Sequence, residues 1–389
     1  MIRWTPADCE TVAAPARVLP LLLRAIAAAP ASAELQAKLG NVHLDLYDFA
    51  AAANAFDAAL ALDPTRNDVR LRLARCRNVL GRPGEAIAVI EGLEDADAHA
   101  QRGLAHAALG QDAEADFRAA LAADPAHRRA CMRLCAILRD SGRIAELLAL
   151  CESLASRGVD HAQLLLDWGR ALALNGDLEK SRRLLFDPAR LAKIDLALPA
   201  GFNQALAEEL LANPVKVSDF PAGEEANRGS TRIHHLLAGP NPDLVRTLID
   251  SIQAAVAAHA AALSPAPGFD PWTAARPAAA HLHPWGLIQR GGEYEAWHTH
   301  RGGWLSGVYY VHVPPQISAA GDGSGCIEFG PPGSVRERLP DFMPVQRIAP
   351  REGLLLLAPS HYHHRTIPNV DATRISFAFD VVPDMPTSS

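Results

Sequence analysis

No stretch of this 389-residue chain reaches the roughly 20 consecutive apolar residues that a membrane-spanning helix needs. The start, Met1-Ile2-Arg3-Trp4-Thr5-Pro6, lacks the apolar core of a signal peptide, and the apolar run from Val18 to Leu23 is short and stopped by Arg24. Positive charge is not in excess: 37 lysines and arginines stand against 44 aspartates and glutamates, a net charge of -7. Bulk attraction to nucleic acid or to an anionic membrane is thereby excluded. Cysteine pairing is missing too. Cys9, Cys76, Cys131, Cys135, Cys151 and Cys326 form no Cys-x-x-Cys and no disulfide framework, and five of them lie in the first half, where a reduced cysteine acts as a small apolar residue. These absences predict a protein of the reducing cytoplasm, with neither nucleic acid nor membrane as partner. An apolar fraction of 49% and a length of 389 residues predict a globular chain of two domains.

The first half contains an internal repeat. Residues 33–64 carry Leu39-Gly40, Ala52, Phe56, Ala59 and Pro64, the small and large positions of the 34-residue tetratricopeptide pattern. Small residues at Gly40, Ala74, Gly103, Cys135 and Gly169 mark one slot in five units, with spacings of 34, 29, 32 and 34. In the last four units a glycine follows seven residues later, at Gly81, Gly110, Gly142 and Gly176, where a first helix must turn back into a second. Residues 1–192 therefore read as an α-solenoid of tetratricopeptide repeats. Each helix pair buries its apolar face only by stacking on the next, which builds a groove suited to a peptide or protein partner.

Composition shifts near residue 190, and residues 193–389 read as a second domain. A short helical pattern runs from Phe202 to Asn213-Pro214, followed by a polar segment from Ser218 to Thr231. Pro240 to Leu263 predicts an amphipathic helix with Leu244, Leu248, Ile249, Ile252 and Val256 on one face. Pro265 to Pro277 predicts an irregular connection. Strands are then expected at His281 to Gln289, Glu295 to His300, Leu305 to Val313, Gly325 to Phe329, Val345 to Ile348, Gly353 to Leu357 and Thr373 to Val382, punctuated by glycine and proline turns. Short strands so spaced predict an all-β sandwich or barrel with a helix on one sheet.

Eight of the sixteen histidines fall between His281 and His364. His298 and His300, one residue apart on an extended segment, put both imidazoles on one face, and imidazole is a ligand for iron, zinc, copper and nickel. A third histidine must come from far along the chain, with His361, His363 and His364 the candidates. His361 and His363 would otherwise share a strand face at a substrate mouth. His281, His283 and His312 read as structural or surface residues, Glu293 and Glu295 as solvated.

The segment from Phe202-Asn203 onward, Trp285, the run His298-x-His300 followed by Ser306-Gly307-Val308-Tyr309-Tyr310, and the ending Pro359-Ser360 to His364 with Arg374-Ile375-Ser376 resemble the 2-oxoglutarate- and Fe(II)-dependent oxygenases, in particular a bacterial and phage group. The resemblance covers roughly residues 200 to 383 and implies a double-stranded β-helix, or jelly roll, with flanking helices, and Fe(II), 2-oxoglutarate and O2 as cofactor and cosubstrates. By it, His298 and His364 are metal ligands, and Arg374 meets the far carboxylate of 2-oxoglutarate with Ser376 and Tyr310 beside it. His300 stands where the wider superfamily has a carboxylate, which gives a three-histidine site. The function so implied is a dioxygenase, a hydroxylase of a peptide or protein side chain presented by the repeats. Two alternatives stand beside it: a cupin-like three-histidine metalloenzyme, since Gly292 precedes His298-x-His300 as in a cupin motif, and a non-catalytic interaction protein.

Overall fold

The computed structural model describes residues 2–11, 15–218, 226–265, 268–319, 321–339 and 341–384. Parts of the polar segment and of the proline-rich connection, at 219–225 and 266–267, lie outside the described residues. The chain divides into two compact units, Ala13–Arg143 and Met1–Val12 with Ile144–Ser389.

The first unit is a run of antiparallel helices, Pro15–Ala28, Ala33–Asp45, Phe49–Leu62, Asn67–Val79, Pro83–Val89, Ala96–Ala108, Glu114–Ala123 and Arg128–Asp140, each packed on the next. The small-residue slot exists because paired helices touch there. A Cβ on Gly40 would come within 2.3 Å of Phe56, and one on Gly103 within 2.8 Å of Phe117. The turn glycines take φ of +70° at Gly81, +70° at Gly110 and +74° at Gly142, a left-handed conformation that closes the helix C-terminus and that a Cβ disfavours. The first unit of the repeat has no glycine at this place, and Tyr47 takes φ +59° instead, at a cost of about 1 kcal/mol.

In the second unit, the helices Ile144–Ser156, Ala162–Leu174 and Leu178–Leu185 pack with strands. Helix Ala162–Leu174 is buried on two sides. Leu165 and Leu172, two turns apart, join one apolar core, while Leu166 and Ala173 join another. The strands are β1 (Arg3–Trp4), β2 (Ala192–Asp195), β3 (Asn227–Arg228), β4 (Thr231–Ile233), β5 (Ala279–Gln289), β6 (Tyr294–Glu295), β7 (Leu305–His312), β8 (Ile327–Phe329), β9 (Gln346–Ile348), β10 (Leu354–Pro359), β11 (His364–Thr366) and β12 (Arg374–Pro383). A seven-stranded sheet has the order β1-β5-β12-β7-β10-β2 with β4 also on β5; β11-β8-β9 form a second sheet and β3-β6 a third.

Both faces of the large sheet are covered, and the central strand β12 alternates between an apolar face and a polar one. Ile375, Phe377, Phe379 and Val381 of β12 face a core shared with helix Pro242–Ala262, through Val245, Leu248, Ile249, Ile252 and Val256. The alternate residues Arg374, Ser376 and Ala378 face a cavity that β8 and β11 close from the other side. The expected strand Glu295 to His300 is only two residues long, after which a single bridge joins His298 to His364. The proline-rich connection is not wholly irregular: Pro271–Ala274 is a helical turn whose buried Trp272 stacks on Trp304 at 5.0 Å, each indole N–H donating to the backbone carbonyl of the other residue. Among the described residues no helix is long and apolar enough to cross a membrane and no cysteine is in a disulfide.

The N-terminal residues are clasped to β5. Strand β1 pairs with it in parallel, His283 Nδ1 and Asp8 Oδ2 lie 2.6 Å apart, and His281 Nε2 and Asp8 Oδ1 lie 3.4 Å apart. The hydrogen bond to Asp8 raises the His283 pKa above its ordinary 6.5 despite burial, and the same bond lowers that of Asp8 below 3.8. A raised histidine contributes stability that is complete below its unfolded pKa and is lost as pH rises through the folded one; a depressed aspartate contributes above 3.8 and loses it as pH falls. The clasp is therefore strongest between those limits. Asp8→Asn is expected to lower Tm more at about pH 6 than at about pH 9, because His283 loses its proton as pH rises through its raised pKa. Thermal melts at the two pH values check this; an equal loss at both refutes it.

Candidate metal centre

His298 and His364 meet through a pair of backbone hydrogen bonds, His298 N–H to the His364 carbonyl at 2.9 Å and His364 N–H to the His298 carbonyl at 3.0 Å. This bridge sets their imidazoles 4.3 Å apart, and His300 stands 5.1 Å from each. One ligand nitrogen from each of the three lies within 4.8 Å of the others. Each ring is fixed through Nδ1. His298 Nδ1–H donates to the Ala296 carbonyl at 2.7 Å, His364 Nδ1–H to the Tyr362 carbonyl at 2.9 Å, and His300 Nδ1–H to Asp380 Oδ1 at 2.8 Å. With the proton held on Nδ1, the Nε2 lone pair of every ring is left as a donor, the arrangement that second-shell partners impose on histidine ligands. Burial, followed by the neighbouring rings, holds the His298 pKa well below the usual histidine range, and the same causes push His364 down to about 3. Three imidazoles converging this way fit an iron(II)-type ion.

The rings open into a cavity enclosing about 720 Å³ of empty space, its mouth included, with Trp285, Leu287, Val308, Phe329 and Leu356 among its walls. Away from the histidines, Arg374 projects into it from β12. Its guanidinium is buried and donates to the Gly325 carbonyl and to Gln289 Oε1. Among the described residues no carboxylate forms an ion pair with it, and its Nε has no partner. A buried guanidinium stays charged although burial lowers its pKa, and one with only neutral partners is costly. Ser376 lies opposite Tyr310 of β7, beside a register shift between Ile375 and Ser376. Tyr310 is buried 5.9 Å below the Arg374 guanidinium, its phenol pushed up to about 12 by burial. Arginine, serine and tyrosine thus share one end of the cavity, matched to an anion such as a carboxylate.

The fold brings His364 to the His298-x-His300 pair; His361 and His363 lie elsewhere. Residues 361–363 are a turn, so the expected shared strand face of His361 and His363 does not form. His361 is wholly buried, and burial pushes it down to about 3; His363 stacks on Trp297 at 5.0 Å. Glu295 is buried rather than solvated, paired with Arg232 at 3.0 Å in the cavity wall. Sequence reasoning did not find Arg232, Gln289 or Asp380. Asp380 had a signal: it lies an even number of residues after Arg374 and Ser376 and so shares their face.

Residues 283–380 match the family described as "Putative 2OG-Fe(II) oxygenase", and residues 43–111 match a tetratricopeptide repeat family. No curated protein matches the chain. Among solved structures, a Pseudomonas putida prolyl-4-hydroxylase is 15% identical, over 50% of this chain and 94% of that one, with a TM-score of 0.34. The non-heme alpha ketoglutarate dependent epimerase SnoN from nogalamycin biosynthesis is 18% identical, over 55% and 92%, with a TM-score of 0.35. YrrB, a TPR protein with an unusual peptide-binding site, is 20% identical, over 42% and 88%, with a TM-score of 0.32. Residues 43–111 therefore match a tetratricopeptide repeat region and residues 283–380 a domain of the family described as "Putative 2OG-Fe(II) oxygenase", which implies Fe(II), 2-oxoglutarate and O2.

Proposed function

We propose that this chain is an Fe(II)- and 2-oxoglutarate-dependent hydroxylase of a peptide or protein side chain, with residues 1–192 presenting the substrate and 193–389 oxidising it. What carries the reading is one cavity that holds three converging imidazoles and, apart from them, a buried arginine that has no carboxylate partner among the described residues. His298, His300 and His364 would hold the iron through Nε2. Iron, 2-oxoglutarate and O2 together supply the oxidation, in which decarboxylation to succinate and CO2 is coupled to insertion of one oxygen atom into a C–H bond. Arg374 binds the far carboxylate of 2-oxoglutarate through its guanidinium fork, with the Ser376 and Tyr310 hydroxyls as further donors. The apolar walls at Leu287, Val308, Phe329 and Leu356 exclude water and so strengthen each of these polar contacts. The repeat region supports a polypeptide substrate because stacked helix pairs offer an extended binding face. Cysteines outside any disulfide suit the reducing cytoplasm.

Anaerobic addition of Fe(II) and 2-oxoglutarate is expected to give a visible charge-transfer band, and admission of O2 to give succinate, faster when a hydroxylatable peptide is present. No band and no succinate would end the oxygenase reading. Succinate formation that no peptide accelerates would end the peptide part alone.

A further inference from the structure

The Nδ1 partners of the three histidines are not equivalent. Those of His298 and His364 are backbone carbonyls two residues earlier in the same segment, and therefore local and neutral. That of His300 is a carboxylate brought from β12, eighty residues away. Asp380 Oδ1 lies 2.8 Å from His300 Nδ1 and accepts a second hydrogen bond, at 2.6 Å, from the Ser306 hydroxyl. Ser306 Oγ lies 2.8 Å from Ser360 Oγ, and the Ser360 carbonyl accepts the His300 backbone N–H at 2.9 Å. The circuit closes on His300 from both its ring and its backbone. Gly303 leaves the room for it: a Cβ there would come within 2.6 Å of Ser360 Oγ and 3.2 Å of Asp380 Cβ.

We propose that Asp380 is a positioning residue of the metal centre, which holds His300 in the Nδ1–H tautomer and places one negative charge directly behind this ligand. The proposal rests on the reading of His300 as a ligand. Three imidazoles alone would leave a divalent ion with its full double charge; Asp380 offsets part of it through the ring and makes His300 the more basic donor, as a carboxylate behind a ligating histidine does. The negative charge that a carboxylate ligand would supply thus stands one residue further out, on the strand that also carries Arg374 and Ser376.

The test separates tautomer, charge and folding. In metal-free protein labelled with ¹⁵N-histidine, long-range ¹H–¹⁵N spectra are expected to show His300 as the Nδ1–H tautomer in the parent and in Asp380→Asn, which keeps an oxygen acceptor, and a shift toward Nε2–H in Asp380→Ala. Mn(II) affinity, read from free Mn(II) by electron paramagnetic resonance, is expected to fall about 10–100-fold in Asp380→Ala and by a smaller, measurable factor in Asp380→Asn. His300→Ala is measured alongside. If His300→Ala weakens Mn(II) tenfold or more while both Asp380 variants stay within twofold of the parent, the proposal is overturned and the three-histidine reading survives. If His300→Ala also leaves the affinity unchanged, His300 is not a ligand and the proposal falls with it. Should Asp380→Ala not fold, the isosteric Asp380→Asn decides through its Mn(II) affinity, with Tm of the metal-free protein as the folding control.

Discussion

Arg374→Met is expected to weaken 2-oxoglutarate binding at least about 100-fold, because each charge-assisted hydrogen bond to a carboxylate contributes roughly 1.5–3 kcal/mol and the guanidinium fork makes two. The methionine fills similar volume, so the expected loss is one of recognition rather than of folding. In the parent the guanidinium has the Gly325 carbonyl and the Gln289 side chain as partners, both neutral. An incoming carboxylate therefore meets a charge already desolvated and already aimed. Arg374→Lys is expected to recover only part of the affinity, since a point charge on a flexible stem does not reproduce the planar fork. The measurement is the rise in Tm with added 2-oxoglutarate in the presence of Mn(II). A variant whose Tm rises as the parent's does would remove Arg374 from cosubstrate binding, and would leave the metal assignment untouched.

His364→Ala is expected to cost more than about 100-fold in Mn(II) affinity, beyond what the loss of a supporting hydrogen bond costs. Alanine keeps the backbone bridge to His298, so the other two rings retain their positions and the loss reports the missing ligand. His363→Ala is the matched control one residue away. Its ring stacks on Trp297 and lies outside the cluster, and its removal is expected to leave Mn(II) affinity within a few-fold of the parent. An affinity of His364→Ala within tenfold of the parent, or a larger loss in His363→Ala, would overturn the ligand set.

Several features of the second unit were invisible along the chain for a common reason. Strand β11, which begins at His364, is three residues long, too short for period two to register in the sequence. Strand β1 is two residues that pair with β5 276 positions later, a contact with no local signature. Glu295 looked solvated because its partner is remote in sequence: Arg232 of β4 reaches it only through the fold. The turn glycines were legible for the opposite reason. A left-handed helix end is a local demand of the backbone, and glycine meets it wherever it recurs.

What the sequence by itself determined is therefore what is local and periodic. The small-residue slot of the helix pairs, the apolar face of the Pro242–Ala262 helix, and the sharing of one strand face by Arg374 and Ser376 all follow from spacings of 3.6 and 2 residues. The tertiary structure alone decided which of those faces meet. It brought His364, rather than His361 or His363, to the His298-x-His300 pair. It gave Arg374 the neutral Gly325 carbonyl and Gln289 side chain as partners in the cavity, and it set Asp380 behind His300 instead of a carboxylate at the cluster itself. Strand pairing fixes these choices, because a shift of register by one residue turns every alternate side chain to the opposite face. That pairing is set by burial on both sides of the large sheet and not by any residue's immediate neighbours.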